Sequence, residues 1–97
     1  MPAGDAPRTV WRQRSDDLSW KEIDSEVIVL DLRSANYLRL NATGSLLWTR
    51  LGGGAGAAEL AETLVATFGV DAGRANDDVD GFIARCSSLG LIEPVEP

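Results

Sequence analysis

At 97 residues the chain has the length of one domain with one modest core, and no apolar run approaches the ~20 residues that a bilayer crossing needs. Hydrophobic residues make up 44% and charged residues 25%, the balance of a folded globular domain rather than a disordered chain. A net charge of -6 repels phosphate backbones, and the absence of histidine excludes histidine-based triads and histidine-containing zinc sites.

Residues 1–7, MPAGDAP, combine prolines, a glycine and small side chains, and are expected to be a disordered lead-in without function. They lack a basic region followed by an apolar one, which points to a cytoplasmic protein. Residues 8–14, RTVWRQR, are a short first strand or an extended arm. Residues 18–23 alternate, with Leu18, Trp20 and Glu22 on one face, and Asp24-Ser25 turns the chain into the next strand. There Val27, Val29 and Asp31 alternate with Ile28, Leu30 and Leu32. Both faces are largely apolar, so cover on both sides is expected.

Residues 33–36 interrupt that strand. Asn36 tolerates a positive φ and Ser34 can bond locally, so residues 37–40 can return as an antiparallel partner and end the meander. The last strand of a meander leaves amides and carbonyls unpaired along its free edge. Tyr37 and Arg39 share one face and Leu38 and Leu40 the other; the spacing leaves open which pair is buried. Edge decoration that discourages aggregation and peptide binding are both compatible with this pattern.

Asn41 is a favoured N-cap, and Leu46, Leu47, Trp48 and Leu51 follow at helical spacing until the glycines at 52–54 stop the helix. A second helix carries Leu60, Leu64, Val65 and Phe68 on its apolar stripe and ends at Gly69. A third is expected to be capped by Asn76 or Asp77, with Asp77, Asp78 and Asp80 favouring the positive end of its dipole. Its buried stripe is Val79, Phe82, Ile83, Cys86 and Leu89. Gly90 closes it, Leu91-Ile92 fold back onto the core, and residues 94–97 form a flexible end.

Little in this pattern carries chemistry. Cys86 lies on an apolar stripe, the setting of a small buried hydrophobe, and as the single cysteine it makes no internal disulfide. The three aspartates lack the spacing, central glycine and terminal glutamate of a calcium loop, so no metal site is expected. The glycine-rich run 52–56 lacks the lysine and hydroxyl residue of a phosphate loop and follows a helix. Trp48 is read as core.

Taken together, VIVLDLRSANYLRLNATGSLLW, the helix LAETLVATF and the terminal DDVDGFIARCSSLGLIE resemble the PqqD-like family of recognition elements for ribosomally made, post-translationally modified peptides. The most specific stretch is the aliphatic strand followed by Tyr37-Leu-Arg-Leu-Asn-Ala-Thr-Gly44, with Trp48 one helical turn beyond. The resemblance covers residues 8–93. It implies an α+β, winged helix-turn-helix-like fold, a three-stranded antiparallel sheet followed by three helices. It also implies that the leader of a precursor peptide lies along the last strand, beside the third helix.

On this reading the chain is a non-catalytic, cofactor-free protein that presents the leader to a modifying enzyme, the leader peptidase of lasso peptide biosynthesis. Residues Asn36, Tyr37, Leu38, Arg39 and Leu40 are expected to supply the main-chain ladder, and Asp78, Phe82 and Arg85, on one face of the third helix, the facing wall. The competing readings are a PqqD-type chaperone for a radical SAM peptide-modifying enzyme and a DNA-binding winged helix. The free domain is expected to be a monomer or an edge-mediated dimer.

Overall fold

A computed structural model describes residues 9–95, so the expectations for residues 1–7 and for the last two residues lie outside it. In chain order the elements are β1 (Val10–Gln13), β2 (Leu18–Ile23), β3 (Glu26–Asp31), β4 (Asn36–Arg39), α1 (Ala42–Leu51), β5 (Ala55–Gly56), α2 (Ala57–Phe68), α3 (Ala72–Ser88) and β6 (Ile92–Pro94). The protein is a mixed α+β fold of three helices and two three-stranded antiparallel sheets, ordered β2-β3-β4 and β5-β1-β6.

The meander forms where the alternation places it. Ile23 faces Glu26 across a two-residue turn in which Asp24 and Ser25 both have positive φ, 52° and 68°, as a type I′ hairpin demands. The β3–β4 turn is longer and corrects an expectation, because Ala35, not Asn36, takes the left-handed conformation, at φ 62°. Asn36 is already paired with Asp31 as the first residue of β4, and its amide donates to Ser34 Oγ at 3.3 Å.

The second sheet was not expected. β1 stands apart from the meander and pairs with two very short strands, Trp11 opposite Ala55 on one side and Gln13 opposite Ile92 on the other. Pro94, read from sequence as part of a loose end, is the last residue of β6 and lies opposite Trp11.

Arg14 ties the two sheets together. Its backbone amide donates to Leu91 O at 2.9 Å, while its guanidinium donates to Gly90 O, Asp16 O and Asp17 O and reaches Asp31 Oδ1 at 2.7 Å. The Asp31 carboxyl is thereby lowered from 3.8 to about 2, first by the Arg14 hydrogen bond, against the opposing cost of burial, with help from the Arg33 amide and Ser34 hydroxyl. A carboxyl depressed on folding contributes stability that is fully present above about pH 4 and lost as pH falls through about 2. Between those values the wild type should therefore lose stability more steeply than Asp31→Asn in parallel urea titrations. Equal slopes would mean that this pair does not govern the acid limb.

The core lies between the inner face of the meander and the helices: Val27 and Val29 from β3, Leu47, Trp48 and Leu51 from α1, Leu60 and Leu64 from α2, Val79 and Cys86 from α3, and Leu91 and Ile92 behind them. Trp48 is fully buried and meets Trp20 edge-to-face, ring centroids 6.4 Å apart. The outer face of the meander is uncovered by the described residues. Leu30 and Ile23 are exposed there, so the expected two-sided cover is absent.

Asn41 caps α1 as expected, its side chain accepting from the Gly44 amide at 2.9 Å. One turn in, buried Ser45 joins α1 to the sheet: its hydroxyl accepts from Val27 N at 2.7 Å and donates to Leu40 O at 3.2 Å, while Leu40 N donates to Val27 O at 2.8 Å. Ser45→Ala would leave the Val27 amide and the Leu40 carbonyl without that partner. A loss of about 1–3 kcal/mol in chemical denaturation is expected, with protection of the Val27 amide falling in hydrogen exchange.

In α2 the buried stripe is Leu60, Ala61 and Leu64, whereas Val65 and Phe68 stand at the surface, one alanine having taken the place expected for larger residues. α3 begins earlier than expected. Asp71 is its N-cap, accepting from Arg74 N at 2.9 Å, so the helix starts at Ala72 rather than beside Asn76 or Asp77. Asp77, Asp78 and Asp80 therefore sit beyond the first turn, where the dipole does not explain them. Leu89 is half exposed and caps the helix instead of joining the stripe.

Candidate functional site

Among the described residues two edges of the meander are open, those of β2 and β4; β4 has concavities along its whole length, between it and α3, whereas a smaller one beside α1 and α2 meets β2 only at Glu22. Leu40 N bonds to Val27 O, and the register continues Val29 opposite Leu38 and Asp31 opposite Asn36. Backbone polar groups alternate sides along a strand, so those of residues 36, 38 and 40 turn toward β3. The groups on the free edge are therefore the amides and carbonyls of Tyr37 and Arg39. The expected ladder of residues 36–40 narrows to these two residues, and the Leu38 amide belongs to the sheet's interior.

Side-chain direction follows the same alternation. Leu38 and Leu40 pack inward and Tyr37 and Arg39 outward, which decides the alternative that spacing left open. Tyr37 is 73% exposed, and Arg39 pairs with Glu26 at 2.7 Å across the sheet's outer face.

Between β4 and α3 lie two concavities that share Arg85 as a common wall. The first, about 510 Å³, is bounded by Arg39, Leu40 and Asn41 on one side and by Arg74, Asp78, Gly81 and Phe82 on the other. The second, about 500 Å³, runs along Asn36, Tyr37 and Leu38 to Ser88, Leu89 and Leu91. All eight residues singled out from sequence thus line one trough: Asn36, Tyr37 and Leu38 in the second half, Arg39, Leu40, Asp78 and Phe82 in the first, and Arg85 in both.

Sequence reasoning missed Asn41, Arg74, Gly81, Ser88 and Leu89. For Leu89 the signal was present, since residues 78, 82, 85 and 89 recur at helical spacing on one face, but it was assigned to the buried stripe. Arg74 was hidden by the late start assigned to α3, and Gly81, inside the expected helix, by having no side chain to mark a face. Arg74 pairs with Asp78 one turn on, at 3.7 Å.

The trough offers hydrogen-bonding backbone and apolar surface rather than reactive groups. Cys86 is fully buried, and desolvation pushes its thiol up to about 11, away from nucleophilic use. Among the described residues no cluster of three or more carboxylate or thiol side chains could hold a metal ion, and no helix is long and apolar enough to cross a membrane.

Two solved structures resemble the chain closely, each 28% identical. One, described as TbiB1 in complex with the TbiA(beta) leader peptide, aligns with a TM-score of 0.78 over 89% of this chain and 99% of its own. The other, described as lasso peptide synthetase B1 complexed with the leader peptide, aligns with a TM-score of 0.76 over 87% of this chain and 98% of its own. A search of curated proteins found no match. The family model for coenzyme PQQ synthesis protein D (PqqD) matches residues 26–92, from the first residue of β3 to the first of β6, and so takes in both walls of the trough. The chain belongs to the PqqD family.

Proposed function

We propose that this chain is a non-catalytic binding protein that captures the leader of a ribosomally made precursor peptide, as a strand added to β4 beside α3. It then presents that leader to a modifying enzyme, the leader peptidase of lasso peptide biosynthesis. The observation that carries the reading is the open β4 edge facing α3 across the trough. Its support is that both similar structures are complexes with leader peptides, and that each is almost wholly spanned by the alignment.

Tyr37 and Arg39 each offer one amide and one carbonyl, and each edge hydrogen bond contributes about 0.5–1.5 kcal/mol net. A peptide side chain fully entering either concavity adds about 1.5–3 kcal/mol. Four such bonds and two such side chains together offset the ordering cost of a short extended segment. The scaffold is read as winged helix-like without a DNA-reading duty: α3 sets Asp77, Asp78 and Asp80 against Arg74 and Arg85, a poor surface for phosphates. The protein is a cytoplasmic monomer or an edge-mediated dimer, and edge-to-edge pairing of two copies would compete for the strand that takes the leader.

Calorimetric titration with a synthetic leader tests the reading, the peptide taken from whichever short precursor sequencing places beside the chain's own gene. Saturable binding with one peptide per chain is expected, together with slowed exchange of the Tyr37 and Arg39 amides. Absence of heat and of amide protection at millimolar peptide would reject it.

A further inference from the structure

The first concavity has a chemical character opposite to that of the whole chain. In a protein of net charge -6 it is lined by three arginines, Arg39, Arg74 and Arg85, and by a single acidic residue, Asp78. Arg39 is engaged by Glu26 and Arg74 by Asp78. Arg85 has no ion-pair partner among the described residues, and it stands where the two halves of the trough meet.

A second, independent observation concerns Gly81. It lies inside α3, where glycine disfavours the helix relative to alanine, and a Cβ built on it would meet nothing within 4 Å. Packing within the chain therefore gives no reason for its bareness, whereas its place on the wall of the first concavity does. On α3 the positions 78, 81 and 85 follow one face, so the gap at Gly81 opens directly between the Asp78 and Arg85 side chains.

We infer that the first concavity receives an acidic side chain, aspartate or glutamate, of the peptide bound along β4, seated over Gly81 and paired with Arg85. This rests on the strand-addition reading and adds the chemistry of one ligand position to it. Arginine suits the task, since its planar donor fork matches a carboxylate in two-point geometry. Arg74, paired with Asp78, lowers the cost of bringing a second negative charge past that carboxylate. The net negative charge of the chain as a whole opposes acidic peptides that lack such a contact.

The test is selection from a display library of random peptides against three proteins: wild type, Arg85→Glu and Gly81→Ala. Wild type is expected to enrich peptides with aspartate or glutamate at one fixed position, and Arg85→Glu to replace that preference with lysine or arginine. In a selected peptide, changing the acid to its amide should weaken binding to wild type about tenfold and leave binding to Arg85→Gln unchanged. Gly81→Ala should raise the thermal midpoint while weakening the same peptide, a combination that a merely structural glycine would not produce. Peptides enriched without an acidic position, or with the same acidic preference against Arg85→Glu, overturn the inference while leaving strand addition standing, provided that Tyr37→Pro abolishes their capture. Failure of wild type to enrich any peptide overturns both.

Discussion

Trp48→Ala is expected to destabilise the protein by about 3–5 kcal/mol, and Trp48→Phe by no more than about 1–2. The first figure follows from complete burial of the indole at the centre of the core, against Trp20 and among Leu47, Leu51 and Val29, where truncation leaves a cavity that fixed strands cannot close. Against a total of about 5–15 kcal/mol for a domain of this size, the alanine variant would be close to unfolded at physiological temperature.

The second figure follows from an unusual detail, that Trp48 Nε1 is buried without a hydrogen-bond partner among the described residues. An orphaned donor costs about 1–3 kcal/mol, which phenylalanine recovers while giving up part of the ring's contact area. Urea unfolding followed by far-ultraviolet circular dichroism measures both variants. A phenylalanine variant as unstable as the alanine one would show that ring volume alone governs the site.

Tyr37→Pro is expected to lower leader affinity about ten- to a hundredfold while the protein stays folded. The amide of residue 37 points away from β3, so proline at this position removes no bond of the existing sheet, in keeping with the confinement of strand prolines to open edges. What it removes is one donor of the free edge, and the peptide carbonyl that would have met it is left unpaired, worth about 1–3 kcal/mol. Tyr37→Ala separates the side chain from the backbone: it deletes the same exposed ring, keeps the amide, and should bind within about threefold of wild type. Leu38→Pro is the contrasting control. It strikes an amide turned toward Val29 and should unfold the meander, so loss of binding there carries no information about the edge. Equal affinity of Tyr37→Pro and Tyr37→Ala in calorimetry would place the peptide elsewhere than on β4.

The stretch from β3 to α1 was legible because its signals are local. Alternation over residues 26–31, the two-residue Asp24-Ser25 turn and the Asn41 cap each lie within a few residues of what they govern. For the eight trough residues, strand alternation and helical spacing named the faces, while the pairing of the last strand with the third helix came from the family resemblance.

What escaped was either non-local or weakly patterned. β5 and β6 are two and three residues long and exist as strands only because β1 lies between them, so no window of sequence contains their cause. The start of α3 reads Ala-Gly-Arg-Ala, in which only Ala75 turns inward, too small a side chain to announce an apolar stripe. The Arg14 network joins residues 16, 17, 31 and 90 through one side chain, and nothing near Arg14 foretells it. Which backbone groups the β4 edge exposes depended on register, which only the paired strands fix.

The pairing of β1 with β6 has a consequence for when the protein becomes competent. Gln13 finds Ile92, and Arg14 finds Gly90 and Leu91, only after all three helices between them have been made. During synthesis the meander and α1 can assemble from neighbouring residues, but Arg14 then has only Asp31 and its own loop to hold, and α3, the far wall of the trough, does not yet exist. The long-range closure of β1 on β6 is expected to be the slow step of folding. A nascent copy would thus offer an edge without a groove until α3 has docked.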